Sequence, residues 1–132
     1  MRWTYFCPHC EAGLNPDETI TLVVEHGSTR ALIGLHPQPG NYQAYFPPGV
    51  EIAPQSECRF YCPVCHMDLA VATEISASLC AVDGLFDGEK HKVYFSRIAG
   101  DQATFVISAD GTQESHGRDA GRHALDLLDL VS

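Results

Sequence analysis

Positive charge is scarce in this chain: 8 Lys and Arg stand against 17 Asp and Glu in 132 residues, a formal net charge of −9. The few basic residues are scattered, so no cationic stripe is available to follow a phosphate backbone or an anionic membrane surface. Long apolar runs are also missing. No stretch of about 18 apolar residues is present to cross a bilayer as a helix. The opening Met1-Arg2-Trp3-Thr4-Tyr5-Phe6-Cys7-Pro8 has no apolar leader ahead of its first cysteine, so a soluble, cytoplasmic protein is expected. Low-complexity segments are absent as well. The remaining balance, 45% hydrophobic and 19% charged, suits a globular chain long enough for its own core, and one domain over residues 1–132 is expected.

Cysteine is the exception to this plainness. Of six cysteines, four lie in two copies of a ten-residue pattern: Tyr5-Phe6-Cys7-Pro8-His9-Cys10-Glu11-Ala12-Gly13-Leu14 and Phe60-Tyr61-Cys62-Pro63-Val64-Cys65-His66-Met67-Asp68-Leu69. Each copy leads two aromatics into Cys-Pro-x-Cys and closes on leucine. In a reducing compartment structural disulfides are rare, which favours metal ligation. Cys7, Cys10, Cys62 and Cys65 together supply the four soft ligands of a closed tetrahedral Zn2+ site. Iron is the alternative, because a tetrahedral four-sulfur site suits it too.

These two segments resemble the knuckles of zinc-ribbon and rubredoxin-type proteins, in which two Cys-Pro-x-Cys turns clasp one ion. The resemblance is confined to residues 5–14 and 60–69. It implies that backbone amides donate to the sulfurs and that Cys7, Cys10, Cys62 and Cys65 take the ligand positions. Where such knuckles usually place glycine after the second cysteine, Glu11 and His66 stand here.

Between and after the knuckles the pattern is β-like. Residues 19–25 alternate, His26-Gly27-Ser28-Thr29 reads as a hairpin loop, and residues 30–36 return with Ala31, Ile33 and Leu35 on one face. A short aromatic strand is expected over residues 42–46, flanked by Pro37, Pro39, Pro47 and Pro48. Residues 15–59 are therefore a β-rich insertion. Beyond Leu69, Ile75, Ala77, Leu79 and Ala81 alternate, runs at 90–98 and 103–109 follow, and Asp83-Gly84, Asp87-Gly88, Gly100-Asp101 and Asp110-Gly111 punctuate an antiparallel meander within residues 70–132. Apolar residues at 120, 124, 127, 128 and 131 point to a short C-terminal helix. The fold expected is mainly β: a zinc-ribbon-like four-cysteine clasp, a β-rich insertion, a meander and that helix.

Other residue groups invite chemistry less directly. Cys62-Pro63-Val64-Cys65-His66 has the spacing of haem attachment, and Cys7-Pro8-His9-Cys10 that of a disulfide oxidase, but the first normally follows export and the second needs a helix N-terminus, which Gly13 and Pro16 oppose. Cys58 is either a spare ligand or a strand residue, and Cys80 reads as core. His9 and His66 could tune or replace a sulfur. His116, Asp119 and His123 could face one another on a helical turn, Arg118 and Arg122 could hold an anion, and Tyr42, Tyr45 and Phe46 could stack on bases. None completes a catalytic constellation. The function expected is a small cytoplasmic zinc-binding module acting on a protein partner or in regulation. A nucleic-acid-binding zinc ribbon and a rubredoxin-like iron or thiol redox protein are the alternatives. The sequence leaves homo-oligomerisation open.

Overall fold

The computed structural model describes residues 3–16, 18–53, 55–70, 79–99 and 101–123. Among these residues nine strands run in the order β1 (Thr4–Phe6), β2 (Ile20–His26), β3 (Thr29–Leu35), β4 (Ala44–Tyr45), β5 (Arg59–Tyr61), β6 (Leu79–Phe86), β7 (Glu89–Ser96), β8 (Thr104–Ser108) and β9 (Gln113–His116). They form two antiparallel sheets, ordered β1-β6-β7-β8-β9 and β4-β3-β2-β5. The mainly β architecture and the insertion hairpin match the sequence pattern, and the meander does so with one correction: Asp83-Gly84 is no turn but lies inside β6, where Gly84 pairs with Tyr5 and His91, while Ile75 and Ala77 lie outside the described residues. The expected C-terminal helix does not match: a single 3-10 turn, Ala120–His123, is the only helical element among the described residues, and residues 124–131 lie outside them. Gly117, with φ of 98°, keeps the chain out of a helical conformation just ahead of that turn.

Local chemistry explains the hairpins. In β2, Ile20, Leu22 and Val24 are buried on one face while Thr21 and Glu25 remain partly exposed on the other. Asp87 and Gly88 join β6 to β7 with φ of 53° and 76°, the doubly left-handed turn whose twist matches its flanking strands. The inner faces meet through Ile20 and Leu22 of one sheet and Val82, Val93 and Val106 of the other, packed with Cys7, Cys62, Leu14 and Leu69 into the largest apolar cluster. Trp3 closes one end of this cluster, stacking on Tyr5 at 5.6 Å and Phe86 at 4.9 Å. A cavity of about 420 Å3 also lies between the sheets, lined by side chains such as Leu35, Phe46, Ile52, Phe60 and Phe95.

The two sheets are built from an internal duplication far longer than the ten-residue pattern. Tyr5 of β1 pairs with Gly84 of β6, and Phe60 of β5, 55 positions after Tyr5, pairs with Val24 of β2, 60 positions before Gly84. The 60-residue offset then persists strand by strand: Glu25 pairs with Arg30 as Leu85 with Lys90, and Leu35 with Ala44 as Phe95 with Thr104. Loop hydrogen bonds repeat as well. Asn41 donates to the Gln38 carbonyl at 3.0 Å as Asp101 does to Ile98 at 3.1 Å, and Thr21 to Leu14 at 2.7 Å as Ala81 to Leu69 at 2.9 Å. Each half gives its first strand to the other half's sheet. Only β9 has no counterpart among the described strands.

This equivalence makes a testable demand on the core. Leu14 and Leu69 occupy matching places and are 1% and 2% exposed. Leu14→Ala and Leu69→Ala should each destabilise the protein by about 2–5 kcal/mol and by similar amounts. Denaturant unfolding of the two variants checks this, and a large loss at one position with none at the other would refute their equivalence.

Candidate metal centre

Each knuckle is a tight turn held by the same backbone bonds. In the first, Glu11 donates to the Cys7 carbonyl at 2.9 Å, Cys7 to Ala12 at 3.0 Å and Leu14 to Tyr5 at 2.8 Å. In the second, His66 donates to Cys62 at 3.0 Å, Cys62 to Met67 at 3.1 Å and Leu69 to Phe60 at 2.8 Å. The residue after the second cysteine must turn left-handed to close this loop, and Glu11 and His66 do so with φ of 63° and 62°. A residue other than glycine thus closes each turn, at a cost of about 1–2 kcal/mol per residue.

The turns bring four sulfurs together. Cys7 and Cys65 Sγ lie 3.7 Å apart, as do Cys10 and Cys62 Sγ, and all four fall within 4.8 Å of one another. A disulfide would need about 2.05 Å. Sulfurs placed about 2.3 Å from a central ion at tetrahedral angles would be about 3.8 Å apart, so the donor set fits a tetrahedral metal. Amides point at the buried sulfurs in the same way in both halves: His9 N–H donates to Cys7 Sγ at 3.3 Å, and Val64 and Cys65 N–H donate to Cys62 Sγ at 3.3 and 3.4 Å. Cys7 and Cys62 are fully buried, whereas Cys10 is exposed and Cys65 partly so.

Electrostatics reinforce the fit. Burial, aided by the Cys62 and Cys65 thiols, pushes the Cys7 thiol up to about 12 despite amide donors from Cys10 and His9. At Cys62, burial also opposes ionisation, but the Cys65 and Val64 amides and the Cys7 and Cys10 thiols outweigh it and bring the group down to about 7. Without a cation the cluster therefore favours one anion at the expense of its neighbours. A divalent ion supplies the charge that lets all four sulfurs ionise together.

The other sequence candidates lie elsewhere or serve the fold. His9 and His66 are exposed on the knuckles. Cys58 is buried with Val24 and Ile33, and Cys80 is 0% exposed in the main core, where burial raises both thiols, Cys80 to about 12. The four-cysteine group is the one cluster of three or more potential ligands among the described residues. The proposed His116, Asp119 and His123 triad is not assembled on a helix. His116 ends β9, and Asp119 accepts hydrogen bonds from the Gln102 amide at 2.9 Å and from Arg118 at 3.2 Å. The stacking platform also divides: the Tyr42 hydroxyl is tied to Thr104 Oγ1 and the His116 carbonyl, while Tyr45 and Phe46 are each 47% exposed.

No protein-family model, no curated protein and no solved structure matches this chain. The site is therefore defined by its own geometry. Among the described residues, no helix is long and apolar enough to cross a membrane.

Glycine should be tolerated where the knuckles turn left-handed. Glu11→Gly and His66→Gly remove about 1–2 kcal/mol of backbone strain and add about 0.4–1 kcal/mol of unfolded-state entropy cost, so each should be neutral to mildly stabilising. Alanine at the same positions should bring no such gain. Thermal melting of the metal-loaded variants tests this, and clear destabilisation by glycine would mean that the Glu11 or His66 side chain itself supports the turn.

Proposed function

We propose that this is a zinc protein in which Cys7, Cys10, Cys62 and Cys65 hold one structural Zn2+, and that it acts in the cytoplasm as a protein-interaction or regulatory module. The observation carrying the metal assignment is the four-sulfur group, whose 3.7 Å separations fit a single tetrahedral ion. Four protein ligands close the coordination sphere and leave no position for a reacting water, unlike a catalytic zinc with three. The role assigned to the metal is mechanical, joining β1 of one sheet to β5 of the other through their knuckles. The interaction role rests on charge. A protein of net charge −9 with dispersed basic residues is poorly suited to nucleic acid and better suited to a protein surface.

Anaerobic purification without chelator should yield one zinc per chain by elemental analysis. Iron would instead colour the protein and displace the zinc assignment. Serine at any one of the four ligand positions should lower metal affinity, whereas Cys58→Ser and Cys80→Ser should leave the stoichiometry unchanged. Acid should release the metal, because protons compete with it for the ligand thiolates. Binding is thus retained at neutral pH and lost as pH falls, and metal retention in strong acid would exclude thiolate ligation. The interaction role is tested on the holo-protein: binding to mixed-sequence nucleic acid should be weak and strongly salt-dependent, and tight sequence-selective binding would overturn it.

A further inference from the structure

We propose that the outer edge of β4 pairs with β4 of a second copy of this chain, so that two four-stranded sheets join across a two-fold axis into one continuous sheet. The starting observation is an imbalance between the halves. In one sheet β8 is followed by β9, but at the equivalent edge of the other sheet β4 has no further strand among the described residues. The remaining edges are protected. Returning knuckle segments cover β1 and β5 through the bridges Phe6 to Gly13 and Tyr61 to Asp68. The β9 edge carries the exposed acid Glu114.

The parity of β4 makes the bare edge self-complementary. His36 N–H donates to the Gln43 carbonyl at 3.1 Å, the Gln43 N–H turns to Asn41 Oδ1 at 3.0 Å, and Tyr45 lies opposite Gly34 two residues on, so the Gln43 carbonyl and the backbone groups of Tyr45 face β3. Ala44 and Phe46 must then direct theirs outward. An antiparallel pairing centred on Tyr45 places Ala44 of one copy opposite Phe46 of the other, twice, and brings the two Tyr45 side chains together at a close, non-hydrogen-bonded position. Pro47 does not obstruct this register, because a donor at its position would point toward β3 rather than toward the second copy.

Surface chemistry points to the same occupant. Among the described residues, three of the five exposed large hydrophobics, Leu32 at 55% and Tyr45 and Phe46 at 47%, gather here, with Leu32 and Tyr45 on the same sheet face. Residues 37–50 contain no Asp, Glu, Lys or Arg in a chain of net charge −9. Two identical acidic molecules repel wherever their charged surfaces meet. This uncharged edge is where such copies can approach, and added salt should strengthen the association by screening the rest.

Sedimentation of the zinc-loaded full chain over a range of concentrations tests the proposal, with a concentration-dependent dimer expected. Tyr45→Lys and Tyr45→Glu each place like charges face to face and should weaken self-association roughly tenfold or more. An equimolar mixture of the two should restore it as a heterodimer. Zinc content and melting temperature of each variant, measured alongside, establish that the fold is intact. A wild-type chain that stays monomeric at high micromolar concentration and raised salt would overturn the proposal and leave this edge to a strand from another protein. Undiminished dimerisation of both charged variants, or failure of the mixture to pair, would overturn it equally.

Discussion

Four sulfurs brought within 4.8 Å of one another cannot all be anionic without a cation among them. That constraint governs the architecture, because the sulfurs come from strands in different sheets: β1 leads into Cys7 and Cys10, and β5 leads into Cys62 and Cys65. An ion bound there would join two sheet edges as well as two loops. Leu14 and Leu69, which close the knuckles, are buried in the same cluster as Cys7 and Cys62, so the coordination site and the main core form one packed unit. Disturbance of the sulfurs is therefore transmitted directly to the contact between the sheets.

The duplication explains why so short a chain can place its ligands symmetrically. Each half is a strand, a knuckle and a hairpin with a third strand, and each half hands its first strand to the other's sheet. Exchange of the halves turns the Cys7–Cys65 separation into the Cys62–Cys10 separation, and both are 3.7 Å. The departures from symmetry are as informative. The first knuckle exposes His9 and Glu11, whereas the second exposes Val64, His66 and Met67. One sheet gains β9, while the other ends in the uncharged edge at β4. The halves share a fold and differ in what they offer to a partner.

Sequence by itself determined the local elements of this protein. Cys-Pro-x-Cys twice, with aromatics before and leucine after, identified the four clustered residues, because tight turns and soft ligands require those residue types at that spacing. Alternation identified β2, β3 and the meander, since period-two burial is written in neighbouring residues. It misled at residues 118–123, where apolar spacing suggested a helix start and the chain forms one 3-10 turn, and at His116 and Asp119, which spacing grouped and the fold gave separate roles. Only the tertiary structure decided that β1 belongs with β6 and β5 with β2, and that the repeat extends through the hairpins. Between residues 20–46 and 80–106 hardly a residue is shared, so nothing in composition records the equivalence. Backbone register is set by hydrogen bonds common to every residue type, and side chains need only suit the face they occupy.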